Sequence, residues 1–215
     1  HITADMALTS DMDHVFVQLA SQSRLPKLRK LWFAPFFLHR NLITKIDGLA
    51  TAAGQGTDCR IVAKMNSLTD EALIHSLMRA GRQGVKIDLI VRGACMLPAQ
   101  VPGHTENIRV RSIVGRFLEH TRVFCFSNDG DLKVYCASAD WMDRNLFSRV
   151  ETCFPIDDPA LKKRIYKDGL LNYLADNQLA WELHNDGTWH RVSMADGEVP
   201  HQAQAILLEK MSRAS

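Results

Sequence analysis

The chain has 215 residues, 46% of them hydrophobic and 23% charged, which excludes a disordered or fibrous protein and suits one sizeable globular domain. Lys and Arg number 26 against 24 Asp and Glu, a formal charge of +2, so whole-surface attraction to nucleic acid or anionic lipid is disfavoured. No apolar run approaches the roughly 18 residues of a membrane span.

The N-terminal His1-Ile2-Thr3-Ala4-Asp5 has neither the basic leader nor the apolar core of a signal peptide. It also lacks an initiator Met, so the chain is expected to begin inside a longer one. The stretch to Ala20 is mixed and weakly periodic, and no element is predicted there. Arg24 to Lys30 is basic and leads into the apolar Leu31-Trp32-Phe33-Ala34-Pro35; it reads as a solvated linker or as an anion contact. Leu38, Leu42, Ile46 and Leu49 recur at helical spacing until Gly54-Gln55-Gly56.

The centre is better patterned. Arg60 to Met65 reads as a buried strand, Thr69-Asp70-Glu71 as a helix cap, and Leu73, Ile74, Leu77 and Met78 as that helix's apolar face. Val85 to Val91 is the next strand. Strand, helix and strand make a βαβ unit with parallel strands and a right-handed crossover. Ligands of open α/β sheets bind beyond the carboxyl ends of such strands, where Asn66 and Arg92 fall. Residues 93–107, with Pro98, Pro102 and Gly103, lack periodicity and suggest a lid.

Ile108 to Val114 is a further strand. Arg122 to Phe126 and Leu132 to Ser138 are two more, with a turn over Ser127–Asp131. Arg149 to Phe154 is expected as a last central strand. Pro159 then opens a helix with Leu161, Ile165, Leu170 and Leu174 facing inward. Trp181–Leu183 and Trp189–Val192 form a small terminal hairpin, and Ala203 to Met211 a closing amphipathic helix. Five cysteines (Cys59, Cys95, Cys125, Cys136 and Cys153) with no CxxC pair point to buried reduced thiols of a cytoplasmic protein rather than to a disulfide frame or zinc site.

Three sets of residues could carry chemistry. Arg92, followed by Gly93, suits bidentate contact with phosphate oxygens, although a salt bridge to a neighbouring helix fits the spacing equally well. His120 sits at a strand entrance with Arg116 and Arg122 nearby; it serves either as a proton donor or acceptor near neutral pH or as a backbone hydrogen-bond partner. Ser138-Ala139-Asp140-Trp141-Met142-Asp143-Arg144-Asn145 gathers polar groups at a strand end, where one or two of them would cap the next segment. The remaining histidines lack HxxxH or HxH spacing, which argues against a metal site.

Ile61–Leu68 (IVAKMNSL), Val85–Gly93, Ile108–Arg122 (IRVRSIVGRFLEHTR) and Ser138–Asn145 (SADWMDRN) together resemble, in order and separation, the C-terminal part of bacterial polyphosphate kinases. Lys30–Pro35 and Leu174-Ala175-Asp176-Asn177 fit too. The resemblance implies an α/β fold with a mixed central sheet, a βαβ unit and flanking helices, similar to phospholipase D. It implies a kinase that reversibly moves the terminal phosphate of ATP onto inorganic polyphosphate, with magnesium whose ligands are not expected in this chain. The family's phosphorylated histidine belongs to a His-x-Lys segment of a preceding domain, and no such segment occurs here.

The chain is therefore read as a second half-domain, inactive alone. Residues 1–22 would be the tail of the preceding domain, 23–195 the catalytic half-domain and 196–215 a C-terminal helix. By motif match, Arg92 is the ATP-contacting arginine and His120 the second active-site histidine. Asn66, Arg122, Ser138, Asp140 and Arg144 follow by placement. Implied partners are ATP or ADP, polyphosphate, the preceding domain and further copies of the same protein, but not nucleic acid. The implied location is the cytoplasm, with peripheral attachment to the inner membrane as a variant.

Against a phospholipase D motif, His120-Thr121-Arg122 has arginine in place of lysine, and Ala137 replaces a glycine. Two other readings stay open: a phospholipase D-like phosphodiesterase or nuclease, and a non-catalytic anion-binding or assembly module using the Arg24–Lys30 run and the terminal helices.

Overall fold

The computed structural model describes residues 3–22 and 24–213. His1, Ile2, Ser23, Ala214 and Ser215, which include the expected boundary at 22–23 and both chain ends, lie outside the described residues. In chain order the elements are α1 (Met6–Ser21), β1 (Trp32–Ala34), α2 (Leu38–Gly54), β2 (Cys59–Met65), α3 (Glu71–Arg82) and β3 (Lys86–Val91). There follow β4 (Ile108–Ile113), β5 (Arg122–Asn128), β6 (Asp131–Ala137), β7 (Glu151–Pro155) and α4 (Pro159–Tyr166). A π-turn (Lys167–Leu171), α5 (Asn172–Leu174), β8 (Ala180–Leu183), β9 (Trp189–Arg191) and α6 (Ala203–Ser212) complete the chain.

The strands form one mixed sheet in the order β1-β7-β6-β5-β2-β3-β4-β8-β9. β2, β3 and β4 are mutually parallel, and β5 runs antiparallel to β2. Strand alternation sorts the side chains into two cores. Ile61, Ala63 and Met65 of β2 pack with Leu42 and Ile46 of α2 and Leu73 and Leu77 of α3. On the opposite face Val62 joins Val123, Leu170, Tyr173 and Ala203. By the same alternation Lys64 belongs to this second face.

α3 forms as its pattern predicts. The Asp70 carboxylate accepts from the Leu73 N–H, Glu71 sits in the first turn, and Arg79 and Arg82 sit in the last, all favourable to the helix dipole. Each of its fully buried leucines is worth roughly 1.5–3 kcal/mol of apolar burial.

Several expectations need correction. α1 occupies the stretch where no element was predicted. Its cap is Asp5, whose side chain accepts from the Ala7 and Leu8 N–H groups. The carboxylate of Asp11, buried in α1, accepts from the backbone N–H groups of Arg29, Lys30 and Leu31 at 2.7–3.0 Å. Lys30 pairs with Asp5 and Asp157 at 2.5 and 2.6 Å. The Arg24–Lys30 run thus ends as a strut between α1 and the sheet.

The segment 93–107 is not a lid: Leu97, Ala99 and Thr105 are buried, and Leu68 exchanges backbone hydrogen bonds with Ala94 and Met96. β7 is not central but second from one edge, and it runs from Glu151 to Pro155 rather than from Arg149 to Phe154. The terminal hairpin is not separate, because β8 pairs with β4 and widens the sheet. Leu161 is 41% exposed where an inward position was expected, while Leu170 is fully buried. The five-residue step from Ile165 to Leu170 exceeds an α-helical turn, and the π-turn accommodates it. All five cysteines are free; Cys59, Cys125 and Cys153 are buried, and Cys95 and Cys136 are half-buried.

The turn expected over Ser127–Asp131 tightens to two residues, because Asn128 pairs with Asp131. Asp129 and Gly130 both have positive φ, 48° and 81°, as a type I′ hairpin requires. Gly130→Val meets open space around its Cβ but is strained in the backbone. It is expected to cost about 1–2 kcal/mol, read as a lower thermal unfolding temperature, while Gly130→Asn costs less.

Candidate functional site

Four strand ends converge at one edge of the sheet. β2 and β3 are in parallel register with Met65 opposite Val91, so Asn66 and Arg92 leave the sheet together. Val123 of antiparallel β5 lies opposite Lys64, which starts Arg122 at this same edge. Arg122 in turn faces Ala137 at the end of β6, and the chain continues from there to Ser138 and Asp140.

Asp140 ties these ends together. Its carboxylate accepts from the Asn66 backbone N–H at 2.7 Å and from Nε and Nη2 of Arg122 at 3.0 and 2.9 Å. Burial opposes its ionisation, but the Arg122 guanidinium and the Asn66 amide outweigh burial and hold the carboxyl below the usual range. Asn66 is buried, and its Oδ1 accepts from Nε of Arg92 at 3.2 Å. Arg92 forms no ion pair among the described residues, so the helix salt bridge does not form. Both terminal nitrogens of its guanidinium are without a hydrogen-bond partner there. Gly93 serves its own backbone: an added Cβ would lie 3.0 Å from the Asn66 carbonyl oxygen, so the close approach is internal.

His120 is exposed two residues before β5. Its carbonyl accepts from Nη1 of Arg122 at 3.2 Å, and its imidazole makes no hydrogen bond among the described residues. It lines a groove of about 420 Å³ together with Phe117, Tyr173 and Leu208; Arg92 is not part of that lining. The link between the two is Lys64. Its ammonium donates to Glu119 Oε2 at 2.7 Å and to Thr121 Oγ1, the residues on either side of His120, and lies 4.2 Å from the Tyr173 ring centroid. Burial pushes the Lys64 pKa down, Glu119 opposes that shift, and the nearby positive charge of Arg92 adds to it.

The other expected residues separate. The exposed Ser138 hydroxyl donates to Glu151 Oε2 at 2.5 Å, and Asn145 donates to Glu151 Oε1 at 2.6 Å. Arg144 is exposed and makes no side-chain hydrogen bond or ion pair among the described residues. The capping role expected within this segment does not materialise, since Asp143 precedes the π-turn of Arg144–Ser148 without a side-chain cap bond. Lys64, Glu119, Glu151 and Gln204 are the residues that sequence reasoning missed. Only Lys64 left a signal, as a charge set between the apolar Ala63 and Met65 within a strand.

The carboxylates at this edge do not fit a magnesium cage. Asp140 is engaged by Arg122 and Asn66, Glu119 by Lys64 and Gln204, and Glu151 by Ser138 and Asn145. Among the described residues no three His, Cys, Asp or Glu side chains gather as metal ligands would. What the edge offers instead is a guanidinium with free donors and an unengaged imidazole, groups suited to anionic oxygen and to proton transfer. Among the described residues no helix is long and apolar enough to cross a membrane.

Residues 31–204 match the model of the family described as polyphosphate kinase C-terminal domain 2. The chain is 49% identical over 210 residues to a polyphosphate kinase of Xylella fastidiosa and 47% identical over 211 residues to one of Pseudomonas aeruginosa. It is covered to 98% in both cases and spans 30% of each relative. The crystal structure of polyphosphate kinase from Porphyromonas gingivalis superposes with a TM-score of 0.91 at 33% identity, over 99% of this chain and 32% of that one. A phospholipase D family member from Salmonella typhimurium reaches a TM-score of 0.47 at 14% identity, too low to bear on function. The chain belongs to the polyphosphate kinase family, and its residues 31–204 correspond to the second C-terminal domain of that family.

Proposed function

We propose that this chain supplies one half of the active site of an ATP–polyphosphate phosphotransferase, within a protein about three times its length. In this reading the bond between the γ-phosphorus of ATP and its bridging oxygen breaks, ADP departs, and the phosphoryl group bonds to a histidine nitrogen in a preceding domain. A terminal oxygen of polyphosphate then takes the phosphoryl group from that nitrogen, and the sequence runs in either direction. Residues 1–22 are the tail of the preceding domain, and magnesium enters on the nucleotide, held by groups outside this chain.

The observation that carries the reading is an Arg92 guanidinium whose terminal nitrogens are free among the described residues, at the same sheet edge as an unengaged His120 imidazole, in a chain whose relatives are polyphosphate kinases. Arg92 neutralises phosphate charge as it redistributes, and His120 donates a hydrogen bond or proton to the phosphoryl or leaving group. Phosphoryl transfer depends chiefly on such positioning and charge stabilisation.

The test is transfer of labelled γ-phosphate from ATP to polyphosphate by the full-length protein. Arg92→Ala is expected to weaken ATP binding about tenfold to a hundredfold, the worth of one charge-assisted contact. Unchanged binding would remove Arg92 from the site. Phosphodiester hydrolysis by this chain alone would favour the nuclease reading instead.

A further inference from the structure

We infer that Lys64 and Gln204 are positioning residues that set the loop bearing His120 and act on phosphate transfer through it; the inference rests on the role proposed for His120 above. The connection from β4 to β5, residues 114–121, begins and ends at the same edge of the sheet. The strand order β5-β2-β3-β4 makes it pass over the ends of β3 and β2, a distance of roughly 14 Å at the usual strand spacing. Among the described residues this loop makes a single bond to other backbone, from the Val114 N–H to the Leu179 carbonyl.

Side chains from elsewhere hold the rest of it. The Gln204 amide, from α6, pairs with Phe117 as a neighbouring strand would: its Oε1 accepts from the Phe117 N–H at 3.0 Å and its Nε2 donates to the Phe117 carbonyl at 2.7 Å. The same Nε2 donates to Glu119 Oε1 at 2.7 Å. Lys64 holds Glu119 Oε2 and Thr121 Oγ1. The residues immediately before and after His120 are therefore tied to one buried ammonium, while the imidazole between them stays exposed. Gly115 belongs to the arrangement, since a Cβ there would lie 2.5 Å from Gln204 Oε1.

Stability alone does not account for this clamp. A buried ion pair is often no more stabilising than apolar groups of the same size, and Lys64 is buried between the apolar Ala63 and Met65 of β2. Its position is explained by what it holds. A catalytic group displaced by about 1 Å can lose about 10²-fold in rate, and the clamp fixes the main chain on both sides of the histidine.

The experiment uses the full-length protein. Gln204→Leu keeps the bulk of the side chain and removes its amide. It is expected to lower kcat about 10²-fold with KM for ATP within about twofold, because only the transition state loses an interaction. Lys64→Met combined with Glu119→Leu replaces the buried pair without stranding either charge. It is expected to lower kcat similarly while the thermal unfolding temperature is retained.

In a His120→Ala background neither change should lower the residual rate further, because groups acting through one residue are not additive. Losses that multiply in that background, a rise in KM matching the fall in kcat, or undiminished kcat in both variants would overturn the inference and leave the functional reading intact. Absence of phosphate transfer by the unmodified protein, or indifference of the rate to His120→Ala, would instead overturn the reading itself, and this inference with it.

Discussion

His120→Ala in the full-length protein is expected to lower the rate of phosphate transfer by about 10²–10⁴-fold, the usual contribution of a placed proton donor or acceptor. The fold should be indifferent to the change. The imidazole is exposed, and the hydrogen bond that His120 does make uses its carbonyl, which alanine retains. The loop is held at Phe117, Glu119 and Thr121, so the backbone at 120 keeps its place. Steady-state kinetics and a thermal melt on the same preparation decide the matter. A variant with the wild-type rate, or one that lost rate only in proportion to lost folded protein, would remove His120 from the chemistry.

Asp140→Ala is expected to act in the opposite way, on the fold first and on activity through it. The Arg122 side chain is only 12% exposed and depends on this carboxylate for its countercharge. The Asn66 amide loses its acceptor in the same stroke. Removing one partner of a buried pair typically costs about 3–5 kcal/mol, measurable by denaturant titration at neutral pH. The pH dependence follows from the direction of the shift. Asp140 titrates lower in the folded protein than the roughly 3.9 of a free aspartate. Its stabilisation is therefore complete above about pH 4 and fades as acid takes the pH down through the folded value. Asp140→Asn should flatten that part of the acid-denaturation curve. An alanine variant as stable as the parent would show that Arg122 finds another partner.

The βαβ core was legible because its signals are local. A buried run at Arg60–Met65, alternation over Val85–Val91 and a cap with acids at Thr69-Asp70-Glu71 all agree, and each works within a few residues of itself. α1 was not legible, because what fixes it is a carboxylate at position 11 accepting from backbone at 29–31. The same holds for the rank of β7 in the sheet, which pairing with β1 decides.

Within the site, Arg92 and Asn66 could be placed from strand ends alone. His120 was visible at a strand entrance with two readings open, and only family resemblance gave it an active-site role. Asp140 was visible as one polar group among several, but its bond to Arg122 was not. The contribution of Gln204 was hidden altogether, since it lies 85 residues from Glu119 and reads, by itself, as a polar position near the start of a short helix.

The edge that carries Arg92 and His120 draws on residues near positions 64, 92, 120, 140 and 204, and no two of these groups are sequence neighbours. Long-range pairings must first overcome the entropy of closing the intervening loops, so the Asn66–Arg92 contact can form with the βαβ unit while the bond from Gln204 to Glu119 waits on a far longer closure. During synthesis, the sheet's central strands would emerge well before α6 does. The hold of Gln204 on Phe117 and Glu119 would thus be the last part of this edge to close.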